Sequence, residues 1–140
     1  MRNLFILLFS ALLLSACSSS KDFQVGGLTQ EPCKSETQIT NPNQFLGETV
    51  ENLRLVPSGN TVTAYMDVRT YCNSNLNISG SVKGKELRLM LKNENTAQDD
   101  CFCKKTISTT LTNVEKGTFD VLVTNSSGSQ LLAQESLTVN

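Results

Sequence analysis

Polar and apolar residues alternate along most of the chain beyond residue 50, which is the pattern of β-strands with one buried face. The clearest case is the segment 61–72. One side of this segment is apolar or small, and consists of Val62, Ala64, Met66, Val68, Thr70 and Cys72. The other side is polar or aromatic, and consists of Thr61, Thr63, Tyr65, Asp67, Arg69 and Tyr71. The pattern therefore predicts a half-buried strand.

The same alternation predicts six further strands. They lie at residues 50–56, 76–82, 86–92, 102–112, 118–124 and 131–139. Segments rich in Gly, Asn, Ser and Lys separate them, as turns between strands require, and no window of the chain shows a helical stripe of apolar residues. Seven short strands at near-regular spacing predict an all-β domain, an antiparallel β-sandwich, which we place at residues 47–140. Residues 17–46 are polar, and we predict a tether there with at most one strand, around 36–40.

The last predicted strands also carry a resemblance to a known class of domain. Within residues 110–139, a short link ends in Gly117, and an alternating Phe119-x-Val121 strand, a turn and a final strand follow. This arrangement resembles the end of immunoglobulin-like and fibronectin-like bacterial modules, and it covers roughly a quarter of the chain. The resemblance implies an immunoglobulin-like sandwich.

The N-terminus has the pattern of a secretory signal. A basic start, Met1-Arg2-Asn3, precedes an apolar run at residues 4–14. As a helix this run would be about 16 Å long at a rise of about 1.5 Å per residue, roughly half of the thickness that a membrane-spanning helix must cross. The run is therefore predicted to be the hydrophobic region of a signal peptide.

The residues that follow, Leu14-Ser15-Ala16-Cys17, resemble the lipobox of bacterial lipoproteins. The resemblance implies removal of residues 1–16 and attachment of diacylglycerol and a further acyl chain, such as palmitate, to Cys17. Several acyl chains together make a firm membrane anchor. The serines after Cys17 resemble the pattern associated with sorting to the outer membrane, so we expect a protein of the bacterial cell envelope, anchored to the outer membrane. The alternative is an ordinary signal peptide, with Cys17 as an accidental thiol.

Four more cysteines lie in the mature chain, and an even number in an oxidising compartment predicts two disulfide bonds. They are Cys33, Cys72, Cys101 and Cys103. If Cys101 and Cys103 share an extended strand, their side chains point to the same side about 6.6 Å apart, too far apart for a bridge. The first pairing we predict is Cys72–Cys103 with Cys33–Cys101, and the swapped pairing is nearly as favoured.

The alternative for these cysteines is a thiolate site that binds zinc or copper(I), or a redox site. The usual zinc knuckle has two to four residues between its cysteines, whereas Cys101 and Cys103 have one between them, so we predict no metal and no cofactor. A cysteine at a strand end, followed some thirty residues later by C-x-C, also resembles small cysteine-containing envelope lipoproteins of Bacteroides-like bacteria. That resemblance supports location and fold rather than an activity.

The composition excludes several classes of function. The chain has no histidine, so catalytic pairs and zinc motifs that need an imidazole are absent and we predict that the protein is not an enzyme. With 12 basic and 13 acidic residues, its formal net charge is −1. Nucleic-acid binding needs clustered positive charge and is not expected.

One side-chain cluster is a candidate ligand-binding surface. Tyr65, Asp67, Arg69 and Tyr71 share one face of the predicted strand 61–72. Aromatic rings beside a guanidinium and a carboxylate can stack on a sugar or peptide and hydrogen-bond its polar edge. An ordinary solvated sheet face would have the same residues. We therefore expect a non-catalytic binding, adhesion or assembly module whose partner is an envelope protein or glycan. A thiol- or metal-handling protein, and an accessory subunit or inhibitor, are the alternatives.

Overall fold

The computed structural model of the chain describes residues 22–41, 47–95, 97 and 99–140. The predicted signal peptide and the predicted lipidation site Cys17 lie outside these residues. The described residues form ten β-strands and contain no helix, and none of them belongs to an apolar helix of membrane-spanning length. The all-β prediction is confirmed.

The ten strands include the seven that the alternation predicts, each within about two residues of its expected ends. The strands are β1 (Gln24–Val25), β2 (Thr29–Gln30), β3 (Lys34–Gln38), β4 (Thr49–Ser58), β5 (Thr61–Tyr71), β6 (Leu76–Lys83), β7 (Glu86–Asn93), β8 (Cys101–Thr112), β9 (Gly117–Asn125) and β10 (Leu131–Val139). Two of the turns, at Gly59 and Gly84, have the positive φ angles that two-residue hairpin turns need.

The strands form two sheets. In the first sheet β5 lies between β4 and β8, β1, β2 and β3 pair with the other edge of β8, and every pair is antiparallel. The second sheet has the order β10-β9-β7-β6, and its central pair, β7 with β9, is parallel. The prediction of a wholly antiparallel fold is wrong at this pair. After β7 the chain crosses to the first sheet, where it forms β8, and then returns to the second sheet as β9. The chain reverses its direction twice on this path, so β9 runs parallel to β7.

The two sheets share one hydrophobic core. Alternate residues of the long strands point into it, and Val62 of β5, Leu87 of β7 and Val121 of β9 are completely buried. Burial of apolar surface stabilises the fold by roughly 25 cal/mol for each Å² removed from water, so these alternating faces are what hold the sheets together. The polar faces of the same strands are left for solvent and for ligands.

Residues 22–41 are not the tether that the sequence predicts. Their three short strands run antiparallel to β8 along its free edge, from Gln24 opposite Thr112 to Gln38 opposite Cys101. The predicted strand at 36–40 overlaps β3. An uncovered edge of β8 would leave its backbone groups without partners in the structure, and the segment supplies those partners. The sheet domain therefore begins before the predicted boundary at residue 47. We call residues 22–41 the N-terminal segment and residues 47–140 the body.

Candidate functional site

The four residues of the predicted ligand-binding cluster all lie on β5, the middle strand of the first sheet. Their neighbours on that strand, such as Met66 and Val68, are buried in the core, so the cluster occupies the outer face. Because β5 has a strand on either side, each member also has cross-strand neighbours. We call this surface, made of the outer sides of β4, β5 and β8, the outer face.

Asp67 is held in place by two hydrogen bonds. Its carboxylate accepts one from Asn52 Nδ2 on β4 and one from Thr106 Oγ1 on β8, both at 2.8 Å. These donors stabilise the ionised form and lower the pKa of Asp67 below its ordinary value. Asn52 has a positive φ at the point where the β4–β5 register shifts, and this irregularity brings its amide to the carboxylate. The carboxylate therefore stabilises the sheet.

Two guanidinium groups lie over aromatic rings of the outer face. Arg54 on β4 lies 4.7 Å from the ring centre of Tyr65, and Arg69 lies 4.0 Å from that of Phe102 on β8. Both distances are within the range of cation–π attraction. Phe102 is almost completely buried, with 4% exposed, whereas Arg69 is exposed. Arg54 and Phe102 were not among the predicted site residues, because their place beside β5 depends on the cross-strand register.

A shallow depression of about 250 Å³ lies beside Arg69. Its lining consists of Ser35, Thr37, Glu51, Arg69, Phe102, Cys103 and Lys104. Lys104 and Glu51 form an ion pair at 3.0 Å across one side. The two hydroxyl groups of the lining, those of Ser35 and Thr37, come from β3, which belongs to the segment that was predicted to be a tether. The depression thus combines two cations, a carboxylate and two hydroxyl groups, with the Phe102 ring buried beneath the guanidinium of Arg69. The guanidinium plane can stack on a small ring, and the polar groups can hydrogen-bond the edge of that ring.

The four cysteines of the mature chain form two disulfide bonds, as predicted. The pairs are Cys33–Cys103 and Cys72–Cys101, each with a Cα–Cα distance of 5.6 Å. The predicted absence of a Cys101–Cys103 bridge is confirmed. The first pairing that we predicted is wrong, and the swapped one is right. The β5–β8 register is the reason: Tyr71 lies opposite Phe102, so the next residue, Cys72, meets Cys101.

The two bridges are close enough to be one sulfur cluster. The Sγ atoms of Cys33, Cys72 and Cys103 all lie within 4.8 Å of one another, and Cys101 is bonded to Cys72. Cys103 is 1% exposed, whereas Cys33 and Cys72 are half-buried. We call these four side chains the sulfur cluster. It joins the start of β3, the end of β5 and the start of β8.

A buried lysine lies next to the sulfur cluster. Lys105 points inward from β8 and its Nζ donates a hydrogen bond to the backbone oxygen of Ser74 at 2.6 Å. Burial disfavours the charged amine and lowers the pKa of Lys105. Ser74 Oγ is buried and has no hydrogen-bond partner. A serine beside a lysine of lowered pKa is one arrangement of a nucleophile and its base. Here the amine bonds the carbonyl rather than the hydroxyl, so Lys105 stabilises the turn after β5.

Neither the sequence nor the fold has a known counterpart in the comparisons. The chain matches no protein-family model, no curated protein and no solved structure. The chemistry of the outer face and of the sulfur cluster is therefore the basis for assigning a role.

Proposed function

We propose that this chain is a lipid-anchored lipoprotein of the bacterial envelope, in the outer membrane, that binds a glycan or peptide segment with its outer face and catalyses no reaction. The observation that carries the proposal is the exposed guanidinium of Arg69, stacked on Phe102 at the side of a depression. The lipobox-like residues before Cys17 support the anchor. The absence of histidine from the sequence supports a non-catalytic role.

The short link between the anchor and the sheets supports this arrangement. Cys17 and Asp22 are five residues apart, and a fully extended chain of that length spans at most about 18 Å. Asn113, just after β8, donates a hydrogen bond to the backbone oxygen of Asp22 at 2.9 Å, so the anchor is attached where β8 ends. In the β5–β8 register Arg69 lies opposite Lys104, near the start of β8. Lys104 is about 26 Å along β8 from the end of the strand to which Asp22 is bonded. The candidate binding surface thus lies well away from the point where the proposed anchor joins the sheet.

The size of the depression indicates the kind of ligand. At about 250 Å³ it lies below the range of roughly 300–1,000 Å³ that is usual for sites enclosing a whole small molecule. It has room for one ring or one side chain. We therefore propose that it contacts a single unit of a longer polymer, while the flanking Tyr65 and Tyr71 extend the contact along β5.

The order of several strands supports a relationship to immunoglobulin-like domains. The order β4-β5-β8 matches the A-B-E order of those domains, and the adjacent β9 and β10 match F and G. The parallel pairing of β7 with β9 departs from their pattern, in which the strand beside F is antiparallel to it. We propose a variant of that fold in which the middle hairpin, β6–β7, is placed differently.

The binding proposal can be tested with residues 18–140 as a soluble protein. We expect it to bind envelope glycans or peptides on an array, and Arg69→Ala to weaken binding tenfold or more, as the loss of a central arginine usually does. Arg88→Ala, which changes an arginine on the second sheet, is the matched control and should leave binding unchanged. Equal losses in both variants, or none in either, would contradict the proposal. Binding to one stoichiometric envelope protein instead would favour an accessory subunit.

The anchor can be tested separately in the producing cell. Full-length protein should fractionate with the outer membrane and incorporate labelled palmitate, whereas Cys17→Ala should do neither. Incorporation by the variant, or a soluble wild-type protein, would exclude Cys17 as the lipid attachment site.

A further inference from the structure

The sulfur cluster has a geometry that two independent disulfide bonds do not require. Each disulfide bond would join its own two segments equally well if the other bond lay far away. Here the Sγ of Cys72, from one bridge, lies within 4.8 Å of both bonded sulfurs of the other bridge, those of Cys33 and Cys103. The described part of the chain contains no other group of three or more Cys, Asp or Glu side chains that close.

These distances are near those of a four-sulfur metal site. A zinc–sulfur distance of about 2.3 Å places the sulfur atoms of a tetrahedral site about 3.8 Å apart. Reduction lets the two bonded pairs move apart to that spacing, and the Sγ of Cys72 already lies within 4.8 Å of Cys33 and Cys103. Cys101 lies outside this group and reaches the site by rotation of its side chain. Cys101 and Cys103 supply two ligands from the same side of β8, and Cys33 and Cys72 supply one each from neighbouring segments.

We propose that, once both bridges are reduced, Cys33, Cys72, Cys101 and Cys103 bind one soft d¹⁰ cation, Zn²⁺ or Cd²⁺, as four thiolates. With a phosphine as the reductant, each bridge is cleaved by one phosphine and one water. The phosphine takes the water oxygen and becomes a phosphine oxide, and the two hydrogens end on the two sulfurs. Metal binding then releases four thiol protons and leaves a centre of net charge −2.

The sheet register brings the four ligands together when metal binds to the reduced protein. The β5–β8 pairing continues without a break from Val62 opposite Leu111 to Tyr71 opposite Phe102, so Cys72 stays beside Cys101. The segment that carries Cys33 loosens without its bridge, and the metal draws it back to the edge of β8, where β3 pairs in a register that places Cys33 near Cys103. In sequence the C-x-C spacing is not a zinc knuckle, and it predicts no metal. In the fold the sheet supplies what a zinc knuckle would: Cys33 and Cys72, the third and fourth ligands, come from the segments on either side of β8.

The half-buried Cys33 and Cys72 provide a route to the buried pair on β8. Sulfur is the ligand that soft cations prefer, and thiolate sites of this kind select zinc-like ions over magnesium or calcium. The bridges and the metal are thus alternative cross-links of the same three segments, and the redox state decides which one is present.

The test is a titration of Cd²⁺ into phosphine-reduced protein in the absence of oxygen. Ultraviolet absorption measures thiolate-to-metal charge transfer, and circular dichroism measures the β-sheet content. We expect one ion per chain and a native β-sheet spectrum with the metal bound. The oxidised protein should bind none. Cys33→Ser/Cys103→Ser and Cys72→Ser/Cys101→Ser each keep two ligands, and each should bind more than 100-fold more weakly, since even a change outside the ligand shell costs about 10–100-fold.

Three results would overturn the proposal. They are equal affinity in the reduced wild type and in either two-cysteine variant, two ions per chain, and metal binding without a native β-sheet spectrum. The last result covers a reduced chain that unfolds, because thiolates of an unfolded chain bind cadmium without rebuilding the cluster. None of these results bears on ligand binding at Arg69, which is measured on the oxidised protein.

Discussion

The N-terminal segment and the body are attached to the same sheet by different physical means. The body strands are long, from 8 to 12 residues, and most of them bury one alternating face in the core, as β5 and β7 do along nearly their whole length. The segment has strands of 2, 2 and 5 residues, and all of β3 is exposed. It is held mainly by backbone pairing with β8, while three of its few apolar side chains, Phe23, Val25 and Leu28, pack half-buried against the core. Three contacts of the segment can be removed singly: the Cys33–Cys103 bond, the hydrogen bonds of Gln30 to Leu76, and the packing of Val25 against Gly80.

A segment with few apolar side chains in the core can thus still line the candidate site. Ser35 and Thr37 of the segment line the depression beside Arg69. The same segment leads to the proposed lipid anchor. These contacts and the backbone pairing hold the segment on β8 and keep Ser35 and Thr37 beside Arg69. Variants that remove these contacts one at a time test how far the segment depends on each.

The largest expected effect comes from removing the bridges. Cys33→Ser/Cys103→Ser opens a loop of 70 residues, and the chain-entropy relation gives a loss of about 4.4 kcal/mol in the free energy of unfolding. Cys72→Ser/Cys101→Ser opens a loop of 29 residues and should lose about 3.6 kcal/mol. Denaturant unfolding of both variants measures the two losses.

Hydrogen exchange on the same variants separates the two regions. Without Cys33–Cys103, amides of the N-terminal segment should lose more protection than those of β5 and β9. Without Cys72–Cys101, the faster exchange should lie at the end of β5 and in residues 72–75. Uniformly faster exchange in both variants would mean that segment and body unfold as one unit.

The contact between Val25 and Gly80 is expected to have the next largest effect. A Cβ at Gly80 would lie 2.7 Å from Val25 Cγ2 and 3.1 Å from the backbone oxygen of Arg88. Gly80→Val should therefore overfill this contact and lower the free energy of unfolding by about 1–3 kcal/mol. Gly84→Asn is the matched control, because this turn glycine has open space and a positive φ that Asn tolerates, and it should change stability by less than about 0.5 kcal/mol.

The double variant Gly80→Val/Val25→Ala shows whether the clash is with the segment. Removing the two Val25 methyl groups makes room for the new side chain, so the double variant should lose less stability than the sum of the single variants. Strict additivity would instead place the strain on the Arg88 side, within the body.

The same difference between segment and body explains which strands the sequence could predict. All seven body strands were predictable, because burial of one face imposes a period of two on residues such as Val62, Ala64 and Met66. The short strands of the segment were not, since Thr29, Lys34 and Glu36 have no alternation and owe their conformation to the free edge of β8. The parallel β7–β9 pair was missed for a related reason: alternation shows which face is buried and does not show which strand lies alongside.

The candidate site was partly predictable for the same reason. The period of two placed Tyr65, Asp67, Arg69 and Tyr71 on one face of β5, where they are found. Their partners Arg54 and Phe102 depend on cross-strand register, as does the pairing of Cys72 with Cys101 rather than Cys103. Register is fixed by turns and by irregularities such as the one at Asn52, and although Asn tolerates a positive φ, its presence within a strand does not by itself predict one.

A smaller effect is expected at Gln30. Its side chain donates to the backbone oxygen of Leu76 at 2.9 Å and accepts from the amide of the same residue at 3.4 Å, joining the segment to the edge strand β6. Gln30→Ala should lower the free energy of unfolding by about 1 kcal/mol, because the backbone groups of buried Leu76 lose their partner. Exchange of the Leu76 amide should quicken at the same time. Gln24→Ala, on exposed β1, is the control, and an equal loss there would rule out a specific role for Gln30.

The smallest expected effect is on the pH dependence of stability, and Asp67 carries it. Hydrogen bonds from Asn52 and Thr106 lower the pKa of this carboxyl from 3.8, and the positive charges of Lys104 on the body and Lys34 on the segment lower it further. A carboxyl whose pKa is lower in the folded state stabilises the fold above its unfolded pKa, and this contribution is lost as the pH falls through the folded value. Stability should therefore fall on acidification below about pH 4, and less steeply in Asp67→Asn.

An NMR titration of the Asp67 carboxyl can rank these contributions. Asn52→Ala removes a hydrogen bond and should raise the pKa of Asp67 clearly, whereas Lys34→Ala removes only a distant charge and should raise it slightly. Because Lys34 belongs to the segment and Asp67 to the body, the small shift reports whether the segment is seated on β8. In Cys33→Ser/Cys103→Ser the segment is expected to loosen, so Lys34→Ala in that background should leave the pKa of Asp67 where it is. An unchanged response to Lys34→Ala would show that backbone pairing alone holds β3 beside the outer face.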